Sequence, residues 1–165
     1  MNTPPICTPA DFAKLLGAEV AAVEQFIQVL QAEQQALTGA QTEKLLELAR
    51  LKSEKAVQIS QLGNRRSQYL SSQGFSSDRS GMEEWLSRHD PSGTGQTGRA
   101  WKRLLDLAKE AQELNRANGI MIDAKLRHNQ QALAILQSAA RQVVDVYGPD
   151  GQTKTSGIGR QLGKV

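Results

Sequence analysis

A single cysteine, Cys7, stands in this chain of 165 residues. One thiol closes no internal disulfide, so a stapled secreted scaffold is excluded. Aromatic residues make up only 4%, too few for a thick globular core. No apolar run approaches the length of a membrane span, so no membrane insertion is expected. The first ten residues carry Pro4, Pro5 and Pro9 and lack the apolar stretch of a signal peptide; a cytoplasmic location is expected. The two histidines, His89 and His128, lie far apart and have no cysteine beside them. HExxH, P-loop and Rossmann patterns are missing. Gly93-Thr94-Gly95-Gln96-Thr97-Gly98 fits the letters GxGxxG, but no hydrophobic strand precedes it and it reads as a flexible linker. Glu113 and Asp123 form no acid–base pair that chemistry could use. No enzyme, no metal and no cofactor is expected.

Charge is also modest. The net value is +3, with acids and bases interspersed along the chain as on a solvated helix surface. Lys154, Arg160 and Lys164 near the end lack interleaved aromatics, so a nucleic-acid partner is not expected.

What the chain has is Leu, Ala, Gln, Glu, Lys and Arg, residues that lose little side-chain freedom on a helix. The spacing predicts an all-α fold: an antiparallel helical hairpin plus a long C-terminal helix, in a coiled-coil-like bundle with a disordered C-terminal tail. Thr8 is the expected N-cap of the first helix, with Pro9 at its first position and Asp11 completing a capping box. Leu16, Val20, Val23, Ile27 and Leu30 then recur at alternating gaps of four and three, the spacing of a coiled-coil seam. Thr38-Gly39 turns the chain, and Thr42 is the expected cap of the second helix. Leu45, Leu48, Ile59, Leu62 and Tyr69 continue the pattern, although Lys52, Lys55 and Arg66 also fall on the seam. The hairpin covers residues 9–70. Residues 71–98 read as a linker holding a short helix with Met82, Trp85 and Leu86, stopped by Asp90-Pro91.

A long helix follows over residues 99–147, with apolar positions at Trp101, Leu104, Leu105, Ala108, Ala111, Leu114, Met121, Ile122, Leu126, Leu133, Leu136, Ala140 and Val143. Asn118-Gly119 interrupts it. Either the helix continues there or it splits; continuation is favoured, because the apolar phase carries across without proline. Residues 1–147 form one helical bundle domain. From Gly148 the apolar pattern is lost, and residues 148–165 are expected to be a flexible tail.

Four stretches in this order resemble the FlgN family of flagellar export chaperones. They are Ala32-Glu33-Gln34-Gln35-Ala36-Leu37; the helix from Glu54-Lys55 to Arg65-Arg66; Asn115-Arg116-Ala117-Asn118-Gly119, with Asn129-Gln130-Gln131-Ala132-Leu133 ten residues on; and Tyr147-Gly148-Pro149-Asp150-Gly151-Gln152-Thr153. The Pro-rich start and the Gly-rich stretch from Ser87 to Gly98 depart from that pattern. The resemblance implies a chaperone that binds the C-terminal helical segments of the hook–filament junction proteins FlgK and FlgL and delivers them to the export gate protein FlhA.

Leu126, Leu133, Leu136, Ala140 and Val143 are spaced as helix-in-groove anchors and are the candidate cargo face. The alternative is that this stripe packs only on the protein's own hairpin. Asn115, Asn118 and Asn129 near the seam are read as softening the helix for partner exchange. Tyr147 matches the tyrosine through which the family docks on the gate; the alternative is that it only caps the helix end. Without an export role the chain would be a generic coiled-coil adaptor.

Overall fold

The computed structural model describes residues 8–39 and 41–146, with side chains as far as Arg141. The expected flexible tail, residues 148–165, lies outside the described residues, as does Tyr147. Four helices follow in order: α1 (Pro9–Thr38), α2 (Thr42–Ser72), α3 (Arg79–His89) and α4 (Gln96–Val146). No strand occurs among the described residues. Two compact units divide the chain, one ending at Met121 and the other beginning at Ile122. The boundary falls within α4, which passes through Asn118-Gly119 as one helix.

The start of α1 follows the sequence signal. Thr8 is extended and its hydroxyl accepts from the Asp11 backbone N–H at 3.1 Å, while the same hydroxyl donates to the Asp11 carboxylate at 2.7 Å. A cap of this kind is worth about 1 kcal/mol. Thr42 does not cap α2. It is the first residue inside the helix; Gln41 takes the cap position and makes no side-chain cap bond. The second helix also runs on to Ser72, because Tyr69 and Leu70 are buried and hold its last turn.

Within the first unit, α1 is the central element. Phe12, Leu16, Leu30 and Leu37 are among its fully covered side chains, whereas α2 buries only Tyr69 and Leu70 completely. The directions of the helices follow from their ion pairs. Glu19 meets Arg66 and Glu33 meets Lys52, so α1 and α2 are antiparallel. Glu24 meets Arg103, and Asn118 meets Leu30 and Glu33, so the first part of α4 runs parallel to α1. Leu104, Leu107 and Ala111 of α4 are buried in the shared core. Leu107 takes the inward place and Ala108 is exposed, the reverse of the spacing expectation.

One end of the hairpin is closed by aromatic side chains from three elements. Phe12 stacks on Tyr69 with centroids 4.2 Å apart, and Trp85 of α3 meets Phe12 edge-on at 4.9 Å. Such pairs add about 0.5–1.5 kcal/mol beyond the area they bury. Burial raises the Tyr69 phenol above its ordinary value.

The glycine stretch between α3 and α4 is a built connection and not a free linker. The Asp90 carboxylate accepts from the backbone N–H groups of Gly95 and Gly98, each at 3.1 Å. It thereby satisfies donors at the start of α4 that would otherwise be orphaned. A Cβ on Gly98 would lie 2.6 Å from Asp90 Oδ2 and 2.9 Å from the Gly93 carbonyl oxygen. The glycines therefore stand where the carboxylate and backbone approach closely, which is why the letters GxGxxG arise here without a phosphate site.

Candidate functional site: an exposed apolar face on α4

The site begins where the buried core ends. Asn118 is completely buried, and its amide donates to the Leu30 carbonyl and to Glu33 Oε2, each at 2.8 Å. Lys52 donates to the same carboxylate at 2.8 and 3.0 Å. One acid thus ties α1, α2 and α4 together. Asn118 Oδ1 finds no partner among the described residues. The expectation that Asn118 softens the helix is corrected: it is an anchor with two bonds. Asn115 and Asn129 are exposed.

The second unit, taken by itself, is the part of α4 from Ile122 onward. Every described side chain in it is exposed except Lys125, which is half-buried. Leu126 is 54% exposed, Leu133 58% and Leu136 65%. Ala140 is exposed on the same spacing. Val143 belongs to α4, but its side chain lies outside the described ones.

Isolated exposed leucines are ordinary on protein surfaces; several large apolar side chains at heptad spacing form one continuous exposed apolar face. Burying each would contribute roughly 1.5–3 kcal/mol.

Spacing alone missed Ile135, which is 69% exposed. It is off the heptad, about 100° around the helix from Leu136, and lines a shallow hollow with Ala134, Ser138 and Ala139. Leu46 and Val57 on α2 are also exposed, at 84% and 57%. Only their position off the α1-facing seam could have signalled this.

Among the described residues no cluster of His, Cys, Asp or Glu could hold a metal, and no helix is long and apolar enough to cross a membrane.

An all-α hairpin continued by a long helix with an exposed apolar heptad defines an all-α protein of coiled-coil-like build. The family model described as FlgN protein matches residues 1–155, and the chain belongs to the FlgN family. It is similar to the flagella synthesis protein FlgN of Yersinia enterocolitica, 41% identical over 64 residues, which are 38% of this chain and 42% of that protein. The protein of the same name from Salmonella typhimurium is 34% identical over 56 residues, covering 34% of this chain and 39% of the relative. The chain thus spans less than half the length of these curated relatives. No solved structure matches it.

Proposed function

We propose that this chain is a cytoplasmic flagellar export chaperone, a binding protein and not an enzyme. It captures the C-terminal helical segments of FlgK and FlgL, keeps them from assembling prematurely and hands them to FlhA. The observation that carries this reading is the exposure of Leu126, Leu133 and Leu136 at heptad spacing in a chain of the FlgN family. A junction-protein segment that packs as a helix after assembly exposes an apolar face beforehand. The α4 face offers a complementary cover, with anchors spaced for helix-in-groove binding. Ala140 and Val143 continue the same spacing in the sequence, and Tyr147, which precedes Gly148-Pro149-Asp150-Gly151, is the proposed gate anchor, as an aromatic suits a hot spot.

The test is calorimetric titration of the full chain with a C-terminal FlgK peptide. Leu133→Asp combined with Leu136→Asp should weaken capture at least tenfold, or about 1.4 kcal/mol. Tryptophan fluorescence should stay unchanged, since Trp85 and Trp101 belong to the first unit. Unchanged affinity would place the cargo elsewhere.

A further inference from the structure

From Asn129 to Ala140 the chain holds twelve consecutive residues without one ionisable side chain, although 22% of the whole sequence is charged. All twelve are exposed. An exposed helix ordinarily carries its charge on the solvent face, so this stretch departs from a surface helix all the way round.

The heptad places Leu126, Asn129, Leu133, Leu136 and Ala140 on the seam. The positions that flank it are Gln130 and Gln137 on one side and Lys125, Ala132 and Ala139 on the other. In coiled coils the flanking charges choose the partner and its orientation, whereas a lone polar residue on the seam fixes the register at a cost in affinity. From Asn129 onward the flanks are uncharged, so there the first device is missing; Lys125, beside Leu126, is the one flanking charge. Asn129, exposed between Leu126 and Leu133, is the one described seam residue from Leu126 to Ala140 that can hydrogen-bond across to a partner.

We infer that Asn129 is the specificity-determining residue of this face, and that its occupant is a cargo helix with uncharged flanks and one hydrogen-bonding side chain opposite Asn129. This rests on the export-chaperone reading and adds the chemistry of the cargo surface. Charge matching argues for that occupant: neutral flanks give no attraction to an acidic or basic helix, and covering them with charges would strip those charges of water without a partner. An apolar seam residue facing Asn129 would likewise leave its amide buried and unpaired. Register is therefore selected by the penalty for misalignment.

The experiment uses the full chain and a labelled C-terminal FlgK peptide in fluorescence anisotropy. Between about 0.05 and 0.5 M salt the affinity should change less than about threefold, since the single flanking charge, Lys125, is all there is to screen. A companion set of peptides carries Asn at each apolar seam position in turn. The wild-type chain should prefer one of these placements over the others by about tenfold. In Asn129→Leu that preference should vanish, while the best apolar peptide binds at least as tightly as it does to wild type.

Tenfold weakening by salt would overturn the inference, and so would one placement profile shared by both chains or weaker binding of every peptide to Asn129→Leu. Sedimentation showing that the chain pairs with itself through this face would make a second copy the occupant and overturn it too. If the peptide is captured but Leu133→Asp with Leu136→Asp has no effect, the site of the export-chaperone reading fails. If that pair abolishes capture and Asn129 proves indifferent, only the present inference fails.

Discussion

Removing Lys52 should damage the hairpin more than removing the acid it pairs with. The Glu33 carboxylate is 5% exposed and the Lys52 side chain 26%. Lys52→Met leaves a buried carboxylate with only the Asn118 amide, at 2.8 Å, to support its charge. Stranding one member of a buried pair costs about 3–5 kcal/mol. Glu33→Leu strands the less buried ammonium instead. Lys52 can turn its head to water along a flexible stem, and Asn118 keeps its bond to the Leu30 carbonyl, so about 1–3 kcal/mol is expected. The double variant replaces the pair by apolar groups of similar volume and should recover most of the Lys52→Met loss. Urea unfolding followed by tryptophan fluorescence is the assay, because Trp85 and Trp101 are both in the core of the first unit. A Lys52→Met loss below about 0.5 kcal/mol, the size expected of an exposed pair, would refute the view that this carboxylate depends on its partners.

The other predictions concern the connection, the pH response and the gate. Gly98→Ala should lower stability by about 1–3 kcal/mol, as its methyl meets both Asp90 and the Gly93 backbone, and overpacking costs about that much; circular dichroism melts will show whether it does. The backbone bond from Gly81 lowers the Asp78 carboxyl below its ordinary value. Its stabilisation is therefore present above that ordinary value and is lost as pH falls through the folded one; acid titration of Asp78→Asn should show a shallower loss than wild type. Tyr69 is raised, so its stabilisation holds below the ordinary tyrosine value and is lost as pH climbs through the folded one; Tyr69→Phe should remove that alkaline step in a denaturation series. Tyr147→Ala should weaken docking to the FlhA cytoplasmic domain about thirtyfold, equivalent to about 2 kcal/mol, while calorimetry with the FlgK peptide shows capture intact.

The parts of the fold legible in the sequence were those set by neighbours along the chain. Thr8, Pro9 and Asp11 make a cap within one turn, and the structure forms it. The α1 heptad is equally local, and Leu16, Val23, Ile27 and Leu30 are buried. Lys52, Lys55 and Arg66 could be seen to interrupt the α2 seam. Their partners Glu33, Gln25 and Glu19 could not be named, because the pairing depends on the antiparallel register of two helices. The glycine stretch misled for the same reason: what orders it is the Asp90 side chain, reached across the bend. Asn118 looked like a weakness in α4 because its compensation comes from α1, more than eighty positions away. At the candidate site the heptad placed Leu126, Leu133 and Leu136 on one face, but spacing cannot tell a buried seam from an exposed one. Ile135 falls off the heptad, so only its exposure brought it into view.

The two helical surfaces in this chain are built by opposite means. Between α1 and α2 the register is set by charge: Glu19 with Arg66 and Glu33 with Lys52 are two heptads apart on each helix, and each acid is nearly covered. A slip by one turn would strand two buried carboxylates, a cost of several kcal/mol. Such a seam suits an internal contact that forms once and must not exchange. Arg66 also lies 5.1 Å from the Trp101 ring centroid, which joins α4 to the same ionic seam. Beyond Met121 the same helix carries no charge from Asn129 to Ala140 and leaves its leucines in water. An apolar seam without buried ions imposes no large ionic penalty when its partner leaves, apart from the area exposed. If the proposed export-chaperone role holds, the cargo must be released, and the change from an ionic to a neutral seam along α4 would then divide the part of that helix that stays from the part that exchanges.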